Sequence, residues 1–83
     1  MTSVTIEFPE STLSALRQAP HQLAVEVRLA AAIHWYQQGR ISMERAAECA
    51  AMHRADFLAE LARRRIDVFV LDMEDLRAEL RGE

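Results

Sequence analysis

Residues 21–38 constrain this chain more than any other stretch. They carry Leu23, Val25, Val27, Leu29, Ala30, Ala31, Ala32, Ile33, Trp35 and Tyr36, and only Glu26, Arg28 and His34 interrupt them strongly. As a helix, this segment is apolar over most of its circumference, and a helix apolar all round has to be buried all round. A chain of 83 residues has too little mass to surround it. A homodimer is therefore expected, with this helix in or near the interface and Val27, Ala31, Ile33 and Trp35 as the interface residues. Gly39 should stop the helix as a left-handed cap.

The length allows one domain. A hydrophobic content of 51% is too high for a disordered chain. The formal net charge of −3 gives no overall attraction to nucleic acid. Cys49 is the single cysteine, so no internal disulfide is possible and a reducing, cytoplasmic setting is expected. The longest unbroken apolar run, 29–33, is far short of a membrane span. No basic segment followed by an apolar stretch opens the chain, so a signal peptide is not expected. Every basic side chain apart from histidine is arginine, which makes forked contacts to carboxylates and phosphates that lysine cannot. The charges are unevenly placed. Six arginines against four carboxylates make 40–65 net +2, whereas six carboxylates against two arginines make 66–83 net −4.

Along the chain, 3–8 alternates Val4, Ile6 and Phe8 with Ser3, Thr5 and Glu7, the period of a half-buried strand. Pro9 ends it. A short helix follows from Glu10 or Ser11 to about Gln18, with Leu13 and Leu16 on one side. Ala19-Pro20 breaks that helix. After Gly39, Ser42 is a good N-cap for a third helix. Ala46, Ala47 and Ala50 give that helix a small, close-packing face. Ala51-Met52-His53 reads as a tight turn. Residues 54–65 read as a fourth helix with Phe57, Leu58 and Leu61 inward. Residues 66–71 read as a second strand and 73–80 as a terminal helix with Asp72 as its N-cap. The expected fold is mainly α: four to five short helices, including a helix-turn-helix, with short N-terminal and C-terminal β-strands. It is one domain, divided into 1–39 (strand and two helices, dimerisation), 40–65 (helix-turn-helix) and 66–83 (a partner-binding tail).

Two short helices joined by a tight turn form the core of a helix-turn-helix. Ala47 stands where a small residue lets the helices touch, Ala51 where the turn usually has glycine, and Phe57 where the second helix is anchored. His53 and Arg54 begin the second helix, where base contacts concentrate. Arg45, Arg63 and Arg64 are candidates for phosphates, contacts that position a protein without reading sequence. Ala55 and Ala59 offer no hydrogen bonds there, and Asp56 and Glu60 add negative charge. A helical hairpin that binds no DNA fits the same residues. The order strand, short helix, long helix in the first half also matches a ribbon-helix-helix. Its outward residues, Ser3, Thr5 and Glu7, are not basic, so plain strand pairing is the favoured reading, either with 66–71 or with its own copy.

Catalysis finds little support. His21, His34 and His53 lie far apart in sequence. Cys49 and His53 supply two metal ligands where a structural zinc site wants four. Only Gly39 and Gly82 exist, so there is no glycine-rich phosphate loop. No enzyme activity, cofactor or metal is expected.

The runs Ser3-Val-Thr-Ile-Glu-Phe-Pro-Glu10, Val25 to Tyr36, Gly39-Arg40-Ile41-Ser42, Ala46-Ala47-Glu48, Phe57-Leu58, Leu61-Ala62 and Ile66-Asp67-Val68 follow one another as in a known family. In order and spacing, from about Ser3 to Leu80, the chain resembles uncharacterised protein family 0175, small prokaryotic helix-turn-helix proteins. The resemblance implies a predicted antitoxin, often paired with a toxin of the PIN-domain nuclease type. Two positions depart from the family pattern. Ala51 replaces its usual glycine, which argues for near-helical angles in the turn, since alanine resists left-handed ones. Ala55 replaces its usual aromatic.

On this reading a dimer binds operator DNA through His53, Arg54, Arg45, Arg63 and Arg64. The tail covers the toxin through Val68, Phe69, Leu71, Leu76, Arg77, Leu80 and Arg81, with Arg77 or Arg81 facing an acidic active site. The alternative is a protein–protein interaction module that never touches DNA, which the net acidity and the alanine-rich second helix favour.

Overall fold

The computed structural model describes residues 1–68 together with Asp72, Arg77, Ala78, Arg81 and Gly82. Four helices follow in order: α1 (Glu10–Leu16), α2 (Pro20–Gln37), α3 (Met43–Cys49) and α4 (Arg54–Arg63). The helical class and the four main helices agree with the sequence reading.

Local chemistry explains each start. Pro9 precedes α1, and Pro20 takes the first position of α2, where a missing N–H is harmless. The Gln22 side-chain oxygen accepts a bond from the Ala19 N–H at 2.8 Å, one half of a capping box. Ser42 caps α3 by accepting from the Arg45 N–H at 3.2 Å.

All four helices stop in the same way. One residue at each end takes positive φ, the C-cap itself in α1, Arg17 (55°), and the residue after the C-cap in the others, Gly39 (71°), Ala51 (56°) and Arg65 (56°). At each end its N–H bonds back to the carbonyl three residues earlier, and the next N–H reaches five back. Ala51 donates to the Glu48 carbonyl at 3.0 Å and Met52 to the Ala47 carbonyl at 2.9 Å. This is the Schellman arrangement, which satisfies carbonyls that the helix leaves open. Only Gly39 has the residue type that adopts it freely. The expectation of near-helical angles at Ala51 is thus corrected: two backbone bonds outweigh the strain on one alanine.

The core belongs to α2, α3 and α4. It contains Ala32, Ile33 and Tyr36, then Met43, Ala46, Ala47 and Ala50, then Phe57, Leu58 and Leu61. The three α3–turn alanines act as spacers, letting bulky side chains of α2 and α4 share one cluster. Tyr36 and Phe57 meet edge to face at 6.4 Å between ring centroids, a favoured aromatic geometry. Arg28 ties α2 to α3: its Nε donates to the Cys49 carbonyl at 2.8 Å and an Nη donates to the Glu48 carbonyl at 3.3 Å. A cation there also complements the negative end of α3.

Three expectations need correction. Residues 3–8 form no strand, and among the described residues there is no strand at all. A strand needs a neighbour for its backbone groups, and nothing described in the chain pairs with this one. Ile66, Asp67 and Val68 are also not strand; Ile66 and Val68 pack against the helical core instead. The rest of the second strand, 69–71, and most of the terminal helix 73–80 lie outside the described residues, although Arg77 and Ala78 have helical backbone. Secondly, the apolar circumference of α2 does not translate into burial on all sides: only Leu23, Ala32, Ile33 and Tyr36 are buried and Val25 is half exposed, in keeping with a chain too short to surround it. Thirdly, Ile33, expected at a dimer interface, is 6% exposed and sits in the chain's own core. Val27, Ala31 and Trp35 stay partly exposed.

Candidate functional site

Helices α3 and α4 follow one another across the short turn 50–53, the two-helix arrangement on which the helix-turn-helix expectation rests. Phe57, Leu58 and Leu61 point inward. Ala55, Asp56, Ala59, Ala62 and Arg63 are exposed, so α4 presents one open face of small side chains flanked by charge. His53 is exposed and precedes α4, and its side chain makes no cap bond.

Each candidate DNA-contacting arginine has a carboxylate partner. Arg45 Nη1 lies 3.0 Å from Glu48 Oε2, with both side chains mostly in water, a pair of little energetic weight. At the other end of α4, Arg63 and Arg64 both bond to Glu60, Arg64 through Nε at 2.7 Å. Glu60 is the buried charged side chain of the described core, at 8% exposure. Its two arginines reach over it from the solvent side, which compensates the burial.

Arg54 is the most constrained. It donates to Glu44 on α3 and, through Nη2, to Asp72 Oδ1 at 3.0 Å. The other oxygen of Asp72 accepts from the Tyr36 hydroxyl at 2.6 Å. Tyr36 is fully buried. One tail carboxylate therefore joins the core of α2 to the first residue of α4. Charge-assisted bonds of this kind are the stronger ones. The node brings together four elements of sequence that lie far apart, and only Arg54 had been singled out as a site residue. Glu60 with Arg63 and Arg64 follows the i,i+3 and i,i+4 rule and could have been read in advance. Asp72 with Tyr36 could not, because 36 residues separate them.

Of the expected partner-binding residues, Val68 packs on the core, and Arg77 and Arg81 are exposed. Phe69, Leu71, Leu76 and Leu80 lie outside the described residues. Among the described residues, no group of three or more His, Cys, Asp or Glu side chains is arranged to hold a metal. No helix there is long and apolar enough to cross a membrane.

Comparison with known proteins places this arrangement in a family. A "UPF0175 protein" from Aeropyrum pernix is 51% identical over 55 residues, covering 66% of this chain and 70% of its own. No solved structure matches the chain. The family model for the Uncharacterised protein family (UPF0175) matches residues 1–82, so the chain belongs to UPF0175.

Proposed function

We propose that this protein is an antitoxin-like regulator: a cytoplasmic homodimer that binds operator DNA through α3 and α4 and a PIN-type toxin through 66–83. The observation that carries the DNA part is the open face of α4. It begins with His53 and Arg54 and ends with Arg63, behind a packed α2–α3 support. A helix N-terminus presented this way suits the major groove. Arg45, Arg63 and Arg64 flank it and are long enough to reach backbone phosphates.

Phosphates have to replace carboxylates on these arginines. Arg54 leaves Glu44 and Asp72, Arg45 leaves Glu48, and Arg63 and Arg64 leave Glu60. DNA binding is then strongly salt-dependent, and weaker than the arginine count suggests. It is also coupled to the tail, because Asp72 belongs to the tail segment. A partner that draws Asp72 away takes one carboxylate from Arg54 and leaves Glu44 in place. The pairing of every candidate arginine favours the second reading, a protein-interaction module without DNA binding.

Fluorescence anisotropy on a duplex of the upstream sequence decides between them. Operator binding predicts an affinity that resists unrelated competitor DNA and falls with salt. It also predicts clear weakening by Arg54→Ala. No binding at low salt, with or without partner, selects the interaction module. For the tail, full-length chain carrying Arg77→Glu and Arg81→Glu should lose capture of a co-expressed toxin; unchanged capture refutes that assignment.

A further inference from the structure

Residues 3–8 carry the alternation of a strand, yet Val4 is 78%, Ile6 59% and Phe8 41% exposed. Together with Leu13 of α1 and Leu23, Ala24 and Val27 of α2, these three side chains line an open trough of about 350 Å³. We propose that the trough is closed by a second copy of this chain, the two 3–8 segments pairing antiparallel into a two-stranded ribbon about a twofold axis at Ile6.

The segment is complementary to itself in that register. Ile6 lies opposite its own copy, and Val4 lies opposite Phe8 of the other chain. Aromatic–β-branched and aliphatic pairs of this kind stabilise neighbouring strands. On the other face Thr5 meets Glu7 of the other chain, so the two glutamates do not oppose each other. A contact made by the same patch on both subunits is the usual form of a dimer interface.

Area points the same way. Val4, Ile6, Phe8 and Leu16 together expose roughly 400 Å² of mostly apolar surface, as large as the main patch of many a lone monomer. Two copies bring roughly 800 Å² together before any backbone is counted, approaching the lower bound for a specific interface. The chain is also extended for its length. Its radius of gyration is 14.4 Å, against about 12 Å for a compact domain of this size. Within the chain, the other strand-patterned segment is not available as a partner where it is described, since Ile66 and Val68 are engaged by the helical core. A hairpin-sized ribbon alone is marginal; here α2 supplies the surface against which its apolar face packs. This dimer does not depend on the DNA or toxin reading.

Light scattering on the full-length chain at micromolar concentration tests it, with circular dichroism alongside. The wild type should weigh twice its 9.5 kDa chain mass. Ile6→Asp should halve the mass and keep the helical spectrum, because Ile6 is outside the monomer core. Val25→Asp, on the exposed side of α2, should remain dimeric. A monomeric wild type, or an Ile6→Asp dimer, overturns the proposal. Should Ile6→Asp unfold, cysteine cross-linking in a Cys49→Ser background decides. Ile6→Cys should form a disulfide-linked dimer on oxidation. Val4→Cys should not, since the twofold register separates the two copies of position 4 by about 13 Å, beyond disulfide reach. Equal linking of both, or of neither, refutes the register and the ribbon with it.

Discussion

Replacing Ala51 by glycine should make this protein more stable. Ala51 holds φ 56° at the end of α3, and a left-handed conformation costs a residue with a Cβ roughly 1–2 kcal/mol. Glycine removes that strain. It also loosens the unfolded chain, which takes back about 0.4–1 kcal/mol. Ala51 is exposed, so its methyl group contributes no core packing that could be lost. Both backbone bonds of the turn, Ala51 to Glu48 and Met52 to Ala47, survive the change. The difference is about 0–1.6 kcal/mol, centred at about 0.8 kcal/mol. For a domain of this size each kcal/mol moves Tm by about 4–8 °C, so the central expectation is a rise of roughly 3–6 °C. Thermal unfolding by circular dichroism measures it, at one fixed protein concentration because dimerisation shifts Tm by mass action. Gly39→Ala is the mirror control. Gly39 has φ 71°, and this substitution should lower Tm by a similar amount. An unchanged or lower Tm for Ala51→Gly would show that the backbone strain inferred for the turn is absent.

Phe57→Ala should remove about 3–5 kcal/mol, since Phe57 is fully buried; whole domains of this length have only about 4–12 kcal/mol, so the urea midpoint should fall by about a quarter or more, and an unmoved midpoint would refute the central place of Phe57 in the core. Arg28→Ala should lose about 1 kcal/mol, because the two α3 carbonyls it bonds are partly rescued by water, and a urea midpoint that does not move would leave the Arg28 bridge without energetic weight. Asp72→Asn keeps an oxygen for Tyr36 but withdraws the charge facing Arg54; DNA affinity at low salt should rise several-fold by anisotropy, and a fall would mean that Asp72 positions Arg54 for DNA rather than holding it back. Glu60→Gln removes the carboxylate that competes for Arg63 and Arg64; DNA affinity at low salt should rise several-fold by anisotropy, and an unchanged affinity would mean that neither arginine reaches a phosphate.

Much of the helical architecture was legible because its signals are local. Ser42 as a cap, Gly39 as a stop, Pro20 at a start and the Phe57–Leu58–Leu61 face each depend on a few neighbouring residues. The misread elements other than Ala51 depend on something further away. The period of 3–8 is that of a strand, but a strand is a property of a pair, and no described residue of this chain pairs with it. The apolar circumference of α2 shows that cover is needed without showing which side the chain itself covers. Ile33 was therefore assigned to an interface, although the alanines of α3 and the turn leave room for it inside. At Ala51 the residue's own preference pointed one way and two backbone hydrogen bonds pointed the other; local propensity lost to a stronger local bond pattern.

The charge of the candidate site needed coordinates most of all. Counted along the chain, 40–65 is net positive, which suggests a surface for phosphate. Folded, Glu60 lies beneath Arg63 and Arg64, and Asp72 arrives from the tail to meet Arg54. The segment count assigned Asp72 to a separate acidic region, whereas in space it belongs to the basic one. The Arg54–Asp72 pair is part-buried, and fixing Arg54 to Tyr36 through Asp72 decides what Arg54 can contact as well as adding charge-assisted bonds to the fold. Any ligand for α4 has to compete with that carboxylate. By linkage, any ligand that displaces the carboxylate must in turn favour binding at α4 by the same factor.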